Sequence, residues 1–446
     1  MSKIFLSILG TSNYQPCNYQ FRNGDTVRDV RFIQEASIQH FCAGWSPENG
    51  DRIRIFCTPK AIDMNWVDNG HIHLQTKEPI ACEGLKTRLS ILFSLPEYLF
   101  DVDTILKEIP DGRNEQEIWE IFTIIFNELE RDDEIWFDIT HGFRSLPMLV
   151  FSIASYARHL KKVHIRSVSY GAFEARRDGI DPVFDLTDFI RLMNWTDAAK
   201  DFVEYGKPHR MAEYVKVRAS ETHGQDEQIR VSNQFANFIK KFAQTIQENR
   251  LEKIIEFGNL TTILANYFQA VGQEIHTFTP LIEEIKSKTN QFTSNSMGNI
   301  FAAVRWCHQH EMYQNGYSIL LEGCISIALA AINKPWSGQN RQVMELRDLV
   351  AIVVKIQAGL LTQDNLDEWA RPLSDDLNQL QTVISPETGK DLHKIYNYRN
   401  AYMHAGTGTN VIPGDIIDKL PFFTDCLENW YKKLVAKGHI NLLKDR

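Results

Sequence analysis

The sequence predicts an α/β domain over residues 1–190, a doubly wound parallel sheet covered by helices on both faces, followed by all-α segments over 191–294 and 295–446. Three observations predict it. Short runs that are apolar throughout alternate with amphipathic runs as far as about residue 190, and strands buried on both faces read as continuous apolar runs. Each strand signal is separated from the next by at least one helical pattern, as crossover connections require. Beyond "DPVFDLTDFIRLMNW" the strand signal fades, and helical spacing runs to the C-terminal region.

In order, "KIFLSIL", "DRIRIFC", "EIWFDIT" and "KVHIRSVSYG" read as strands. "RFIQEASIQHFC" and "NEQEIWEIFTIIFNELE" carry apolar residues at helical spacing, and "PMLVFSIASYARHL" is a nearly all-apolar helix. The helical half is broken at "SETHGQDEQ", "SKTNQFTSNSMGN", "KPWSGQNRQ" and "AGTGTNVIPG". The middle segment carries no recognisable motif. The chain has 446 residues, more than one core usually serves, with 43% hydrophobic and 24% charged residues.

Several classes are excluded at this level. No apolar run reaches the roughly 18 residues of a membrane-crossing helix, and "KIFLSIL" reads better as a first strand than as a leader. Seven cysteines never form a C-x-x-C pair, which argues against a disulfide framework or zinc ribbon and for a reducing cytoplasm. His71 with His73, and His308 with His310, lack carboxylate or cysteine companions, so they read as surface or capped histidines and no metal is expected. A formal net charge of −9 means that any polyanion must be held in a local basic cleft.

In open α/β sheets, ligands sit beyond the carboxyl ends of the strands. "LGTSNYQPCN" follows the first strand and offers Gly10, Thr11, Ser12 and Asn13. "DITHGFRSLP" follows a later one and offers Asp138, Thr140, His141, Gly142, Arg144 and Ser145. Gly10 and Gly142 let backbone approach a ligand closely, and Ser145 before Pro147 marks a helix start suited to phosphate. Neither G-x-G-x-x-G nor G-x-x-x-x-G-K is present, which disfavours a nicotinamide enzyme or a P-loop NTPase. Two readings remain open for the second loop: a small-molecule or nucleotide pocket, or a satisfied strand-to-helix cap with Asp138 as a buried acceptor.

Asp138-Ile-Thr140-His141-Gly142, after the "LGTSNY" loop, resembles the D-x-T-H-G signature of a family of CRISPR-associated proteins. That family couples a Rossmann-like CARF sensor domain to a helical HEPN ribonuclease domain. The resemblance implies a cytoplasmic homodimer, and multiples of that dimer. Its CARF domain, residues 1–190, would bind cyclic oligoadenylate, expected as cyclic tetra-adenylate, at the dyad. Gly10 to Asn13, Asp138 and Thr140 to Ser145 would line the pocket, and Tyr14, Phe143 and Tyr170 are the candidates for stacking on bases. The ring is an allosteric activator, and no cofactor is implied.

The HEPN signature is R-x-x-x-x-H with a polar residue after the arginine, and the bare pattern occurs three times. Arg218 to His223 lies in a charged stretch, and Arg305 to His310 has Trp306 in the second position, so both read as structural. Arg399-Asn400-Ala-Tyr-Met-His404 has the polar second residue and precedes the helix stop "AGTGTN". Upstream, "EMYQNGYSILLEGCISIALAAI" is similar to a long HEPN helix with an acidic residue, Glu322, in its middle. Five residues turn a helix by about 500°, leaving Arg399 and His404 roughly 140° apart, which a two-fold partner or a distorted helix end would reconcile. The implied activity is single-stranded RNA cleavage without metal, leaving 2′,3′-cyclic phosphate ends. Arg399, Asn400 and His404 would be its catalytic residues. Two alternatives stand beside it: a catalytically silent sensor acting through a protein partner, and a sensor that slowly degrades its own ring.

Overall fold

The computed structural model describes residues 1–73, 75–141, 146–221, 226–257, 262–263, 265–266, 279–363, 368–403 and 413–440. The chain divides into two units, Met1–Met193 and Asn194–Arg446. The first is built on an eight-stranded sheet: β1 (Lys3–Leu9), β2 (Cys17–Gln20), β3 (Thr26–Val30), β4 (Arg52–Cys57), β5 (Leu106–Glu108), β6 (Glu134–Asp138), β7 (His164–Gly171) and β8 (Ile180–Asp185). Their order is β3-β2-β8-β7-β6-β1-β4-β5. The four strands legible in the sequence form the parallel centre β7-β6-β1-β4.

Alternation along β1 and β6 divides the core in two. Ile4, Leu6, Ile8, Ile135 and Phe137 point to one face, where Ile121 and Ile125 of the Glu115–Asn127 helix and Ile153 of the Leu146–Leu160 helix pack on them. Phe5, Leu9 and Trp136 point to the other, under Ile38 of the Ile33–Phe41 helix and Leu85 and Leu89 of the Leu85–Leu92 helix. Two buried faces are the physical reason these strands carry no polar stripe.

Strands β2, β3, β5 and β8 are the ones sequence patterning leaves out. They are short or partly exposed, and β8 contains Pro182, normally a sign against a strand. Two pairings on this side are antiparallel, β7 with β8 and β2 with β3, so the sheet is mixed rather than wholly parallel.

In the second unit the described helices share one large core. Phe202, Phe235, Phe242, Trp306, Tyr317 and Leu349 belong to it, so residues on either side of position 294 bury their apolar faces together. At its centre is the helix Tyr313–Ala331, with the helices Asn299–Gln309, Arg341–Gln357, Pro386–Met403 and Pro413–Ala436 packed around it. No described helix is long and apolar enough to cross a membrane.

Gly323 lies where the Tyr313–Ala331 helix meets Ile300, and an added Cβ would come 2.4 Å from Ile300 Cγ2. A β-branched, fully buried isoleucine cannot swing aside cheaply. Gly323→Ala is therefore expected to cost about 1–3 kcal/mol. The check is a lower urea midpoint with unchanged slope against wild type.

Candidate functional site

The strand register brings the two polar loops together. β1 and β6 are parallel neighbours with Ser7 opposite Asp138, so the chain leaves both carboxyl ends side by side. From β1 the backbone goes on to Gly10–Asn13, and from β6 to Ile139, Thr140 and His141. On its other edge β1 pairs with β4. This is the place in a doubly wound sheet where the connections diverge and leave a crevice.

Beneath the two loops is a connected polar frame. Ser7 Oγ donates to Asp138 Oδ2 at 2.6 Å, while Gln34 Nε2 donates to Ser7 Oγ and to Ile8 O, both at 3.0 Å. Thr140 donates its amide and its hydroxyl to Asp138 Oδ1 at 3.1 and 2.5 Å, and its Oγ1 accepts from the Gly171 amide at 2.7 Å. Asp138 is fully buried. Burial pushes its carboxyl up from the ordinary aspartate range, against the opposing pull of the Ser7 and Thr140 donors.

The expectation that Asp138 and Thr140 line a pocket is therefore narrowed. With both carboxylate oxygens engaged, Asp138 shapes the turn from inside, and Thr140 ties that turn to β7. His141 differs. Its ring stacks at a 32° tilt on Tyr14, centroids 4.3 Å apart, and Nε2 is enclosed with no hydrogen-bond partner. Burial holds the imidazole down at about 4, so it is neutral near pH 7. Tyr14 also packs edge-on against Phe32, and its hydroxyl occupies the space a side chain at Gly10 would fill, 2.1 Å from an ideal Cβ. Gly10 is thus required by a close approach within the protein. Ser12 and Asn13 are exposed and Thr11 is half-buried.

Tyr170, also expected here, lies on β7 next to Gly171 and donates its hydroxyl to Glu174 at 2.5 Å, which pushes the phenol up to about 12. Gly142, Phe143, Arg144 and Ser145 lie outside the described residues.

Residues that sequence reasoning missed hold the first loop from below. Asn65, fully buried in a π-turn at Ile62–Trp66, donates to Gly10 O and Ser12 O, each at 2.9 Å. Its Oδ1 lies 2.9 Å from Nε2 of His71, which is buried in this frame rather than at the surface. Arg31 donates to Tyr14 O at 3.1 Å, Glu83 O at 2.5 Å and Asn13 Oδ1 at 3.4 Å. Asn65 is more than fifty residues from the loop, and nothing local in the sequence signals this link.

In the second unit, Arg399 and Asn400 lie in the last turns of the helix Pro386–Met403. Arg399 Nη1 donates to Asn400 Oδ1 at 3.1 Å, Nη2 is 3.6 Å from Glu322 Oε1, and Nε is enclosed with no partner among the described residues. Glu322 also pairs with Arg347, whose guanidinium donates to Ser326 Oγ at 3.1 Å and Trp336 O at 2.9 Å. Arg347 is pinned by several acceptors and Arg399 is loosely held. His404 lies outside the described residues, as do His223 and the side chain of Arg218. The third pattern is spent in the fold. Arg305 pairs with Asp425 and Glu428 at 3.0 and 2.5 Å, and the His310 nitrogens face Trp306 O and Val203 O at 2.7 and 3.1 Å.

Residues 4–174 match the family model described as the CARF domain of the CRISPR system endoribonuclease Csx1. Residues 191–297 match the model of the second domain of the CRISPR-associated protein MJ1674. The chain is 26% identical over 243 residues to the CRISPR-associated protein MJ1674 of Methanocaldococcus jannaschii. That match takes in 54% of this chain and 36% of the relative, so the chain spans about a third of the relative's length. Among solved structures it is similar to Enterococcus italicus Csm6 bound to cyclic hexa-2'-fluoro-hexa-dAMP. The identity is 12% and the TM-score 0.48, covering 99% of this chain and 95% of that one. The two family matches support a CARF-containing protein of the CRISPR-associated kind.

Two outcomes follow from the geometry of the first unit. The native pKa of His141, about 4, lies below the ordinary 6.5. Between those values the unfolded chain binds a proton that the native one does not, so this residue makes stability fall as pH drops from 6.5 towards 4. In urea titrations across that window, His141→Phe should flatten the pH dependence, and parallel curves would contradict the assignment. Asn65→Ala removes both supports of the first loop and should speed hydrogen exchange at the amides of residues 10–13 by about tenfold or more.

Proposed function

We propose that the chain is a cyclic-oligoadenylate sensor whose ligand switches on a single-stranded RNA endonuclease. In domain terms, residues 1–190 sense, 295–446 cut, and 191–294 join them. The observation that carries the reading is the register that brings the loops after β1 and β6 side by side, within the stretch that matches a CARF model. Exposed Ser12 and Asn13 belong to the loop whose Gly10 and Tyr14 approach His141. A cyclic ring of nucleotides supplies phosphate oxygens and base edges for such groups. A homodimer presents each loop twice to a symmetric ligand. Cyclic tetra-adenylate is the ring proposed.

Support for the nuclease comes from the residue types around Arg399. A guanidinium held, among the described residues, by a 3.1 Å bond to Asn400 and a 3.6 Å pairing to Glu322 can turn to a phosphate. The proposed step is attack by an RNA 2′-oxygen on the adjacent phosphorus, with rupture of the bond to the 5′-oxygen. His404 serves as the proton-transfer group, the 2′-hydroxyl losing a proton and the leaving 5′-oxygen gaining one. Arg399 stabilises charge on the phosphoryl oxygens, and Asn400 orients Arg399 or the phosphate. The products are a 2′,3′-cyclic phosphate and a 5′-hydroxyl, and the step uses no metal. DNA, without the nucleophile, is not cut. Activation requires that the ring bind the cutting-competent arrangement more tightly than the resting one.

The test is cleavage of a labelled single-stranded RNA in EDTA, with and without cyclic tetra-adenylate or cyclic hexa-adenylate, wild type beside His404→Ala. Ring-dependent cleavage that falls at least a hundredfold in the variant is expected. Ring binding without cleavage in the wild type would instead favour a silent sensor acting through a partner protein.

A further inference from the structure

We infer that the groove beside Arg399 is a nucleotide subsite, taking one unit of single-stranded RNA with its base against Tyr396 and its phosphate at Arg399. The inference deepens the nuclease reading and rests on it. The groove is a cavity of about 420 Å³ between the helices Arg341–Gln357 and Pro386–Met403, with Leu321, Glu322 and Ile325 of the Tyr313–Ala331 helix lining it as well. That volume lies within the roughly 300–1,000 Å³ typical of small-molecule sites.

Three features suit a nucleotide. Tyr396 precedes Arg399 by three residues, so the two side chains are neighbours on one helix face, about 5–6 Å apart at Cβ. A base stacked on the ring and its phosphate at the guanidinium span a comparable distance. Tyr396 is 42% exposed and Met344, on the opposite wall, is 59% exposed, which leaves an aromatic face and a polarisable thioether open on the two sides. The lining charges also favour a phosphate. Arg347, Lys355 and Arg399 stand against Glu322 and Asp348, three cations to two carboxylates, in a chain whose formal net charge is −9.

A partner helix could use the apolar wall, but it would gain nothing from the excess positive charge of the lining. The single-nucleotide occupant uses that charge at its phosphate. Stacking on Tyr396 tolerates any base, while the Asp348 carboxylate at the rim can accept from an exocyclic amine. The subsite therefore sets which bond of the RNA reaches Arg399, with a bias towards bases that present an amino group.

The probe is a fluorescent 2′-O-methyl tetranucleotide of mixed sequence, which lacks the attacking hydroxyl and cannot be cut. Its affinity for the full chain is measured by anisotropy, with cyclic tetra-adenylate present. Tyr396→Ala should weaken binding by about tenfold or more, and Tyr396→Phe should stay within about twofold of wild type. Equal affinity for wild type and Tyr396→Ala, or no binding by wild type, overturns the subsite. So does a Tyr396→Ala protein whose only change is a weaker self-association in sedimentation. Cleavage of the unmodified RNA separates this from the parent reading. Tyr396-dependent binding without cleavage removes the nuclease and leaves an RNA-binding groove. Cleavage with an unchanged KM in Tyr396→Ala removes the subsite and leaves the nuclease.

Discussion

The buried hydrogen bond from Ser7 to Asp138 fixes the arrangement on which the first unit's candidate site depends. It joins β1 to β6 across their parallel register, near the carboxyl ends where both strands give way to loops. A hydroxyl bonded to a buried carboxyl is worth about 1.5–3 kcal/mol when the acceptor is charged, and breaking it would leave Asp138 Oδ2 without its Ser7 donor while Oδ1 keeps those of Thr140. With Gln34 bonded to Ser7 and Thr140 to Asp138, one connected frame sets the path of the chain into Gly10 and into His141. The residues of D-x-T-H thus divide by role. Asp138 and Thr140 hold the turn, and His141 faces Tyr14 with one nitrogen unused.

The second unit follows the same logic with different chemistry. Glu322, in the middle of a core helix, stands between two arginines and satisfies them unequally. Arg347 has further acceptors in Ser326 and Trp336, so its position is determined by the fold. Among the described residues Arg399 has its helix neighbour Asn400 and a longer contact to Glu322. An enclosed N–H without a partner costs about 1–3 kcal/mol, so the Arg399 side chain is held less favourably than that of Arg347. The packing behind Glu322 is tight, since Gly323 next to it accepts Ile300 where a side chain would stand. A rigid support behind a loosely held cation is a suitable construction for a phosphate contact.

Periodicity alone made most of the sheet legible. The central strand β1 is buried on both faces and β6 largely so, which favours a nearly continuous apolar run, while β4 and β7 add half-buried Arg52, Arg54 and Arg166 to runs that remain visible in a single sequence. The outer strands escaped because one side of each is wet or because Pro182 interrupts the pattern. The two site loops were legible for a related reason: polar residues with glycine at the end of an apolar strand have few structural uses. Their supports were not. Asn65, His71 and Arg31 reach the first loop from distant parts of the chain, and each alone is an ordinary polar residue.

What the sequence by itself determined is the fold class, the division into an α/β half and a helical half, and the positions where polar chemistry stands at strand or helix ends. Local patterns carry those because burial and hydrogen bonding impose a period on the residues concerned. Only the tertiary structure decided which polar groups are already satisfied. It closed Asp138 and Thr140 inside the frame, turned Arg305 and His310 into packing links, and left His141 Nε2 and Arg399 Nε without a partner among the described residues. Satisfaction of a buried polar atom is a property of the atoms around it, most of them remote in the chain, so no window of sequence can contain it.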